Sequence, residues 1–376
     1  MDNYRPVPGT LIDDLDTPCL LVDLDALEHN FEHVAETYRD SHVKMRQHTK
    51  NTKSPLLARM QIRAGGTVGG VCTAKLAEAE VMFEGGVNDV LIPNQVTHKD
   101  KIARMCALAK QGDIKVCVDN LDNVQTISDI ADAYGVEIGV LIEVDTQMGR
   151  GGVRSPEQGV TIAKLADKLP GVKFLGVMSH QSLVEFTTQE ARFEEGKETI
   201  QTCIDVGNAI QAEGIDVEVV SSGETHTIDV AKELPEVTEV EGGTYALGGT
   251  NYFYMEDFQI ANKVLGTVIS TPEPGIAIGD VGLMALSDRG AAEVEDMPGV
   301  TVEELLADHI ILKSDGTNVL CVADEGITTE RDPSVMAFAK TALPTCALGE
   351  ILYSDGTNMM CVTDIGVSVE RDPTVM

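Results

Sequence analysis

A short polar stretch of the chain gathers side chains that could bind and attack an anionic substrate. Arg46, His48, Lys50 and Lys53 lie within a few positions of each other in an otherwise acidic chain. Such a cluster favours an anionic ligand. A lysine that is desolvated beside other cations has a depressed pKa and becomes an amine nucleophile for a Schiff base. A solvated lysine at the start of a loop is the simpler alternative, and the spacing alone leaves both open.

Two further stretches, Ser221–Thr225 and Glu241–Tyr245, combine glycines with hydroxyl side chains. Backbone N–H groups beside glycine can surround a phosphate without obstruction from a side chain. Ordinary turns have the same composition. Phosphate binding is favoured if the two stretches follow the last two strands of a barrel, because such folds hold phosphate there.

The elements that must position these stretches alternate between β-branched runs and longer runs of helical period, as in βα units around a parallel sheet. We predict strands at 43–48, 67–73, 89–93, 114–118, 137–145, 173–180, 217–222 and 237–245. We predict helices at 54–63, 75–84, 99–110, 121–134, 156–168 and 189–213. This rhythm predicts an α/β fold, a TIM-like (β/α)8 barrel. A doubly wound sheet is the competing fold, but no G-x-G-x-x-G opens a helix after the first strand.

The rhythm changes near Phe253, after which strand-like runs alternate with Gly, Pro and Asp turns. We therefore predict a barrel domain at 25–252 and a smaller, mainly β domain at 1–24 and 253–376, which the strand-like segment Pro18–Leu24 joins. This tail contains a repeat, because 311–336 resembles 351–376. Each copy predicts a hairpin around an Asp-Gly turn.

The composition excludes several classes of partner. Lys and Arg number 28 and Asp and Glu 61, a net charge of −33, which repels DNA, RNA and anionic membranes. No apolar run has the roughly 18 residues of a membrane helix, and the N-terminus lacks the order of a signal peptide. The 8 cysteines are widely spaced without a C-x-x-C pair, which fits reduced thiols. We predict a soluble, cytoplasmic protein.

Several motifs occur in a combination that resembles a known family. They are Thr-Pro-x-x-x-x-Asp-x-Asp-x-Leu at 17–27, Arg-x-His-x-Lys-x-x-Lys at 46–53, and the stretches 72–80, 145–153 and 280–288. The chain resembles, from about residue 15 to about 312, the fold-type III pyridoxal phosphate (PLP) enzymes of the D-threonine aldolase and D-serine dehydratase group. These enzymes have a barrel similar to that of alanine racemase.

The resemblance implies a role for each matching residue. Lys50 would carry PLP as a Schiff base, Lys53 would not, and His48 would lie against the cofactor. Arg150 would lie near the phenolate oxygen of the ring. His180 and Gln181, at the end of the sixth strand, would face the cofactor. The phosphate would be held by residues of the two glycine-containing stretches: Ser222, Gly223, Gly243, Thr244 and Tyr245.

The resemblance fails at the metal site. Metal-dependent members of the family carry a histidine motif near the C-terminus, and nothing after Ile310 matches it. Asp308 and His309 are the weak candidates that remain, so the metal ligands stay unknown. A zinc site needs three or four fixed ligands, whereas Mg²⁺ or Mn²⁺ accepts carboxylates and water, so any divalent metal is expected to be Mg or Mn.

The resemblance implies a PLP-dependent lyase, a homodimer that acts on small D-3-hydroxy amino acids. Retro-aldol cleavage of D-threonine or 3-hydroxyaspartate gives glycine and an aldehyde or glyoxylate, and the other route removes water, as from D-serine. Lys50 and His180 would be the catalytic residues, with His180 as a base for the 3-hydroxyl. An amino-acid racemase and a non-catalytic PLP carrier or homeostasis protein are the alternatives.

Overall fold

The computed structural model describes residues 6–181, 188–249, 255–286, 292–295, 299–314, 319–323, 326–330, 350–354 and 359–362. These residues form two compact units. The larger unit consists of the described residues of Leu24–Gly248 and of 255–259. The smaller consists of those of 6–23, 249 and Ile260–Met376.

Eight parallel strands of the larger unit close into a barrel. Numbered after β1 (Cys19–Val22), which lies outside the barrel, they are β2 (Lys44–His48), β3 (Thr67–Cys72), β4 (Asp89–Ile92), β5 (Asp113–Val118), β6 (Ile138–Asp145), β7 (Val172–His180), β8 (Val219–Ser222) and β9 (Glu239–Val240). Each strand pairs with the next along the chain, and β9 pairs with β2 to complete the circle. The predicted barrel is confirmed.

The barrel strands are apolar because both of their faces are covered. Side chains of neighbouring strands meet in one core cluster, which consists of Cys72, Leu91, Cys117, Leu141, Leu175 and Met178. Each of these side chains is almost completely removed from water. Their packing fixes the strands, and with them the loops that leave the carboxyl ends of the strands.

Helices connect the strands. They are α1 (Leu24–Tyr38), α2 (Pro55–Ala64), α3 (Leu76–Glu84), α4 (Lys99–Ala109), α5 (Leu121–Tyr134), α6 (Pro156–Ala166), α7 (Gln189–Ala212) and α8 (Ile228–Ala231). The bounds of α5 match the prediction because both ends carry strong signals. The Asn120 side chain accepts the N–H groups of Asp122 and Asn123 at its start, and Gly135 adopts the left-handed conformation at its end. None of the helices in the described ranges is long and apolar enough to cross a membrane.

A buried ion network crosses the amino-terminal end of the barrel. Arg46 donates to Glu239 at 2.9 Å and to Asp89 at 2.8 Å, and Lys115 donates to the same Asp89 oxygen at 2.9 Å. These side chains come from β2, β9, β4 and β5, so the network joins the first and last barrel strands. Arg46, which lies in the predicted cationic cluster, is therefore a structural residue remote from the loops at the other end.

The last barrel strand is shorter than predicted. The prediction places it at 237–245, whereas β9 ends at Val240 and a short 3₁₀ turn, Thr244–Ala246, follows Gly242 and Gly243. The N–H groups of Gly243 and Tyr245 donate to the Thr225 hydroxyl at 3.3 and 3.2 Å instead of continuing the ladder. The chain therefore leaves the barrel sheet and turns at the carboxyl end of the strands at this point.

The smaller unit is antiparallel. Its remaining strands are β10 (Asn262–Leu265), β11 (Thr267–Ser270), β12 (Ile276–Gly279), β13 (Val300–Leu305), β14 (Ile310–Ser314), β15 (Val319–Ala323), β16 (Gly326–Glu330), β17 (Glu350–Ser354) and β18 (Met359–Val362). The N-terminal strand β1 pairs with β10, and six strands form a sheet in the order β13-β14-β12-β11-β17-β18. The predicted second, mainly β part of the fold is confirmed.

The two copies of the tail repeat differ in their pairing. In the second copy β17 pairs with β18, as a hairpin requires. In the first copy β14 pairs with β12 and β13, and β15 pairs with β16, so the single hairpin predicted for 311–336 is wrong in its pairing. The predicted Asp-Gly turns at 315–316 and 355–356 lie outside the described residues.

Candidate active site

The carboxyl ends of the barrel strands bring together polar side chains that are far apart in the sequence. Lys50 follows β2, Arg150 follows β6, His180 ends β7, and Glu224 follows β8. The charge of Lys50 acts on the pKa of both His180 and Glu224, so these groups share one electrostatic environment. This end of the barrel is where enzymes of this architecture place their chemistry.

Lys50 and Lys53 have different surroundings. The N–H of Lys50 donates to Nδ1 of His48 at 3.3 Å, and His48 is in turn anchored through its own N–H to the carbonyl of Gly242 at 2.8 Å. Lys53 instead forms an ion pair with Glu78. The side chain of Lys50 is exposed, so the desolvation expected from the sequence is absent. Of these two lysines, Lys50 is the one without a carboxylate partner within ion-pair distance among the described residues.

The histidines around Lys50 are neutral. Burial, followed by the charge of Lys50, holds the pKa of His48 well below its ordinary value. Burial and then the charges of Lys50 and Arg150 lower the pKa of His180 to about 3. Burial and then Arg192 lower the pKa of His226 to about 4. Neutral imidazoles can accept a proton at neutral pH.

Arg150 is held by a buried acid that sequence analysis did not select. Its guanidinium donates to Glu143 of β6 at 3.3 Å, and Gln95 donates to the other oxygen of the same carboxylate. The N–H of Gly152 donates to Asp119 at 2.9 Å, which pins the same loop to the end of β5. The signal for Glu143 was a lone acid inside the apolar strand, since a buried acid requires partners.

Gln181 and Ser222 lie together between β7 and β8. The amide of Gln181 donates to Ser179 at 2.8 Å and to Ser222 at 2.9 Å, and the two serine hydroxyls are 2.7 Å apart. The Ser222 side chain is therefore committed to this buried cluster, and only its backbone is left for a ligand. The Oε1 atom of Gln181 is buried and has no partner among the described residues.

The two predicted glycines, Gly223 and Gly243, lie at the carboxyl end of the barrel, in the loops after β8 and β9. Gly223 has a φ of +114°, which favours glycine. A Cβ on Gly243 would lie 2.6 Å from the carbonyl oxygen of His48, so no side chain fits there. Asn51 donates to the Thr244 hydroxyl at 3.0 Å and links this loop to that of Lys50. The absence of a side chain at Gly243 thus permits the loop after β9 to pack closely against the end of β2.

Tyr245 is placed differently from the other phosphate candidates. Its ring is buried and lies 6.4 Å from Phe31 and 5.9 Å from Phe258, measured between ring centroids. Its hydroxyl is buried without a partner among the described residues. The side chain therefore packs in the core, and a ligand at the mouth would meet at most the backbone of Tyr245.

Two buried acids beside the glycine stretches were also absent from the sequence-based selection. Burial raises the pKa of Glu224 to about 8, against the opposing charge of Lys50. Burial and then the charge of Glu239 raise the pKa of Glu241 to about 7, although the Ser221 hydroxyl donates to it at 2.9 Å. Their positions next to Gly223 and Gly242 were the available signal.

Glu241 predicts a pH dependence of stability. Its carboxyl keeps a proton up to about pH 7 in the folded chain and loses it near 4.5 when unfolded. Stability is therefore fully present below pH 4.5 and is lost as the pH rises through 7, by about 3 kcal/mol from this group. The free energy of unfolding, measured with urea between pH 5 and 8, should fall with pH in the wild type. We expect Glu241→Gln to remove the part of this pH dependence that Glu241 causes. Equal slopes for the two proteins would contradict the assignment.

Asp308 and His309 lie in the smaller unit, in the turn between β13 and β14. Nδ1 of His309 is 2.8 Å from Oδ1 of Asp308. The part of the chain that the structure describes contains no group of three or more His, Cys, Asp or Glu side chains arranged for a metal. The pair thus has no third described ligand.

Comparisons with known proteins agree with the barrel fold. The family described as the N-terminal domain of alanine racemase matches residues 22–251. A 3-hydroxy-D-aspartate aldolase of Paracoccus denitrificans is 32% identical over 335 residues, which cover 85% of each chain. A D-threo-3-hydroxyaspartate dehydratase of a Delftia species is 31% identical and covers 80% of this chain and 85% of its own. A metal-free form is among the solved structures of that dehydratase.

A solved structure is similar over most of the fold. The crystal structure of D-threonine aldolase from Filomicrobium marinum has a TM-score of 0.77 and 29% sequence identity. The similarity covers 81% of this chain and 84% of the aldolase chain. It therefore extends beyond the barrel.

Proposed function

Because this chain belongs to the family of the alanine racemase N-terminal domain, we propose that it is a PLP-dependent lyase that acts on D-3-hydroxy amino acids. The observation that carries the proposal is the position of Lys50 at the carboxyl end of the barrel, among the neutral His48 and His180. The aldolases and the dehydratase named above are about 30% identical to this chain and match it over most of their length.

The residues at the barrel mouth fit PLP. The amine of Lys50 has no paired carboxylate among the described residues, and Arg150 lies near enough to His48 and His180 to act on their pKa. Gly223 and Gly243 present backbone without a side chain after the last two strands, where barrels of this type hold phosphate. Buried polar atoms without a described partner, Gln181 Oε1 among them, lie at the same end. Bound there, PLP supplies an electron sink for the bond broken at the substrate α carbon.

His180 is proposed as the base of the reaction. Its imidazole is neutral and half-buried at the end of β7, and the Thr146 hydroxyl donates to its carbonyl at 3.1 Å, which fixes the strand end. It takes the proton of the substrate 3-hydroxyl as the bond between Cα and Cβ breaks. The products are an aldehyde and glycine, whose α carbon acquires a proton in place of the lost bond.

A panel of D- and L-3-hydroxy amino acids tests the proposal. We expect glycine and an aldehyde or glyoxylate from D-threonine or D-3-hydroxyaspartate. Dehydration is the second candidate, because a relative of 31% identity is a dehydratase. This reaction would release ammonia. Loss of optical activity without either product would instead indicate a racemase, and turnover of no member of the panel would overturn the proposal.

We further propose a homodimer, as the family implies. Light scattering of the purified chain should give about 81 kDa, twice the chain mass of 40.3 kDa. The same measurement on fractions across the activity peak should keep this mass. A fully active species of one chain mass would contradict the prediction.

Any metal is proposed to be weakly bound, with Mg²⁺ or Mn²⁺ preferred to Zn²⁺. Asp308 and His309 supply two donor groups, fewer than a tight zinc site needs. Elemental analysis after dialysis against EDTA should find much less than one metal per chain. Stoichiometric zinc after this treatment would contradict the prediction.

A cytoplasmic location is also proposed. Cys72, Cys106, Cys117 and Cys203 are buried free thiols. Burial raises the pKa of Cys72 and Cys117 well above the ordinary value, so they remain protonated and poorly reactive. Buried thiols that form no disulfide support a reducing compartment.

A further inference from the structure

Glu224 is an acid at the place where the proposed function puts an anion. It directly follows Gly223 in the turn between β8 and α8. The loops after the last two strands are those that hold phosphate in barrels of this type. A carboxylate would repel a phosphate, so the position of Glu224 requires an explanation.

The turn that carries Glu224 is held by several backbone and side-chain hydrogen bonds. The N–H of Glu224 donates to the Thr227 hydroxyl at 2.9 Å, and the N–H of Thr227 donates to the Glu224 carbonyl at 3.0 Å. Arg192 of α7 donates to both oxygens of Asp229 at 2.8 and 2.7 Å. The Oε1 atom of Glu224, which has no hydrogen-bond partner among the described residues, is therefore available to a ligand.

The carboxyl group itself is poorly hydrated and poorly paired. The Glu224 side chain is 15% exposed, and its Oε1 atom is buried with no hydrogen-bond partner among the described residues. Nε2 of His226, in the same turn, is 3.7 Å from this oxygen, too far for a hydrogen bond. Lys50, in the loop after β2, is the cation whose charge acts on it.

Burial keeps Glu224 protonated at neutral pH, against the charge of Lys50. Burial raises the pKa of Glu224 to about 8, and Lys50 only partly opposes this. Burial and Arg192 lower the pKa of His226 to about 4, so this neighbour is neutral, and so is His180 at the end of β7. A protonated carboxyl has one O–H donor, and a phosphate oxygen is a strong acceptor.

We propose that Glu224 binds the cofactor phosphate as a protonated acid, so that phosphate binding requires the proton that Glu224 carries. The inference rests on the proposed function, because it assumes that a phosphorylated cofactor enters this site. The ionised form of Glu224 would face the phosphate dianion at close range and weaken binding. The acid thus acts as a donor, and its charge state determines how tightly phosphate is held.

The proposal predicts a specific pH dependence. The second pKa of a phosphate monoester is about 6, so the ligand remains a dianion above pH 7. If only protein with protonated Glu224 binds well, the dissociation constant of PLP rises about tenfold between pH 7 and 9. Pyridoxal, which has the same aldehyde but no phosphate, should escape this effect.

Titration of the full cofactor-free chain with PLP and with pyridoxal, at pH 7 and 9, tests the proposal. Both ligands react with Lys50 through the same aldehyde, so any pH dependence of binding that comes from Lys50 cancels in the ratio of the two dissociation constants. Between pH 7 and pH 9, we expect this ratio to change about tenfold in the wild type and to stay constant in Glu224→Gln. Glu218→Gln, which alters an exposed partner of Lys173, is the matched control and should behave as the wild type.

A second measurement needs no variant. Calorimetry at pH 8.5 in two buffers of different ionisation enthalpy should show the uptake of most of one proton with PLP and less with pyridoxal. A constant ratio in the wild type, a tenfold change of the ratio that persists in Glu224→Gln, or equal proton uptake with both ligands would overturn the inference while leaving the proposed function intact. Failure of the wild type to bind PLP at either pH would overturn the proposed function itself.

Discussion

Lys50→Ala should remove the visible absorption of bound cofactor and lower activity by about 10⁴-fold or more, the scale on which a lost covalent residue acts. The reason is that the charge of Lys50 acts on His48, His180 and Glu224, whereas that of Lys53 acts on His48 alone among these three. Absorption spectra and steady-state rates of the purified variant give the two readouts. The fold should persist, because the Lys50 side chain is exposed.

Lys53→Ala is the matched control. Lys53 is paired with Glu78 and should be dispensable for the absorption band. Borohydride reduction of the wild type, followed by peptide mapping, identifies the modified lysine directly. A label on Lys53, or a yellow and active Lys50→Ala protein, would show that the assignment is wrong.

His180→Gln should lower kcat/KM for cleavage by about 10²- to 10⁴-fold, the usual contribution of a general base. Cofactor binding should change little, because the proposed task of His180 is to accept the hydroxyl proton. His42→Gln provides the control, since His42 precedes β2 at the opposite end of the barrel, where its Nε2 lies 3.1 Å from the Leu234 carbonyl.

The pH profile adds a second check on His180. Burial, and then the charges of Lys50 and Arg150, lower its pKa to about 3, so the imidazole is in its neutral form well below pH 6.5. The acid limb of kcat/KM should therefore not lie near pH 6.5, the ordinary value for histidine. A limb near 6.5 in the wild type that disappears in His180→Gln would contradict this.

The barrel was predictable because local signals repeat along it. The caps at Asn120 and Gly135 define α5, and apolar runs bounded by polar turns define the strands. The helix α1 was not predicted, although Leu27, Phe31 and Val34 follow helical spacing and are buried. The length of β9 could not be predicted, because the Thr225 hydroxyl that ends its ladder lies in another loop.

The site was predictable where a motif carried it and not where it depends on contacts across the barrel. Lys50, His180 and Arg150 belong to recognisable stretches. Ser222 and Tyr245 belong to them too, but their side chains lie in packed surroundings, which the motifs do not reveal. Glu143 contributes through its contacts with other side chains, and Glu224 through an Oε1 atom that has no partner among the described residues. A pattern of residue types encodes neither feature.

The closing strand of the barrel has a consequence for local stability. β9 has two residues and pairs with β8 at a single position and with β2 at two, so the buried Arg46–Glu239 ion pair supplements a short ladder. Backbone amides with few ladder neighbours exchange with solvent through small openings rather than global unfolding. Deuterium should therefore exchange into the backbone amides of β9, and of the residues that pair with it, before it exchanges into those of β5, β6 and β7. The strand that leads into the glycine turn at the mouth is thus the part of the barrel that opens at least cost.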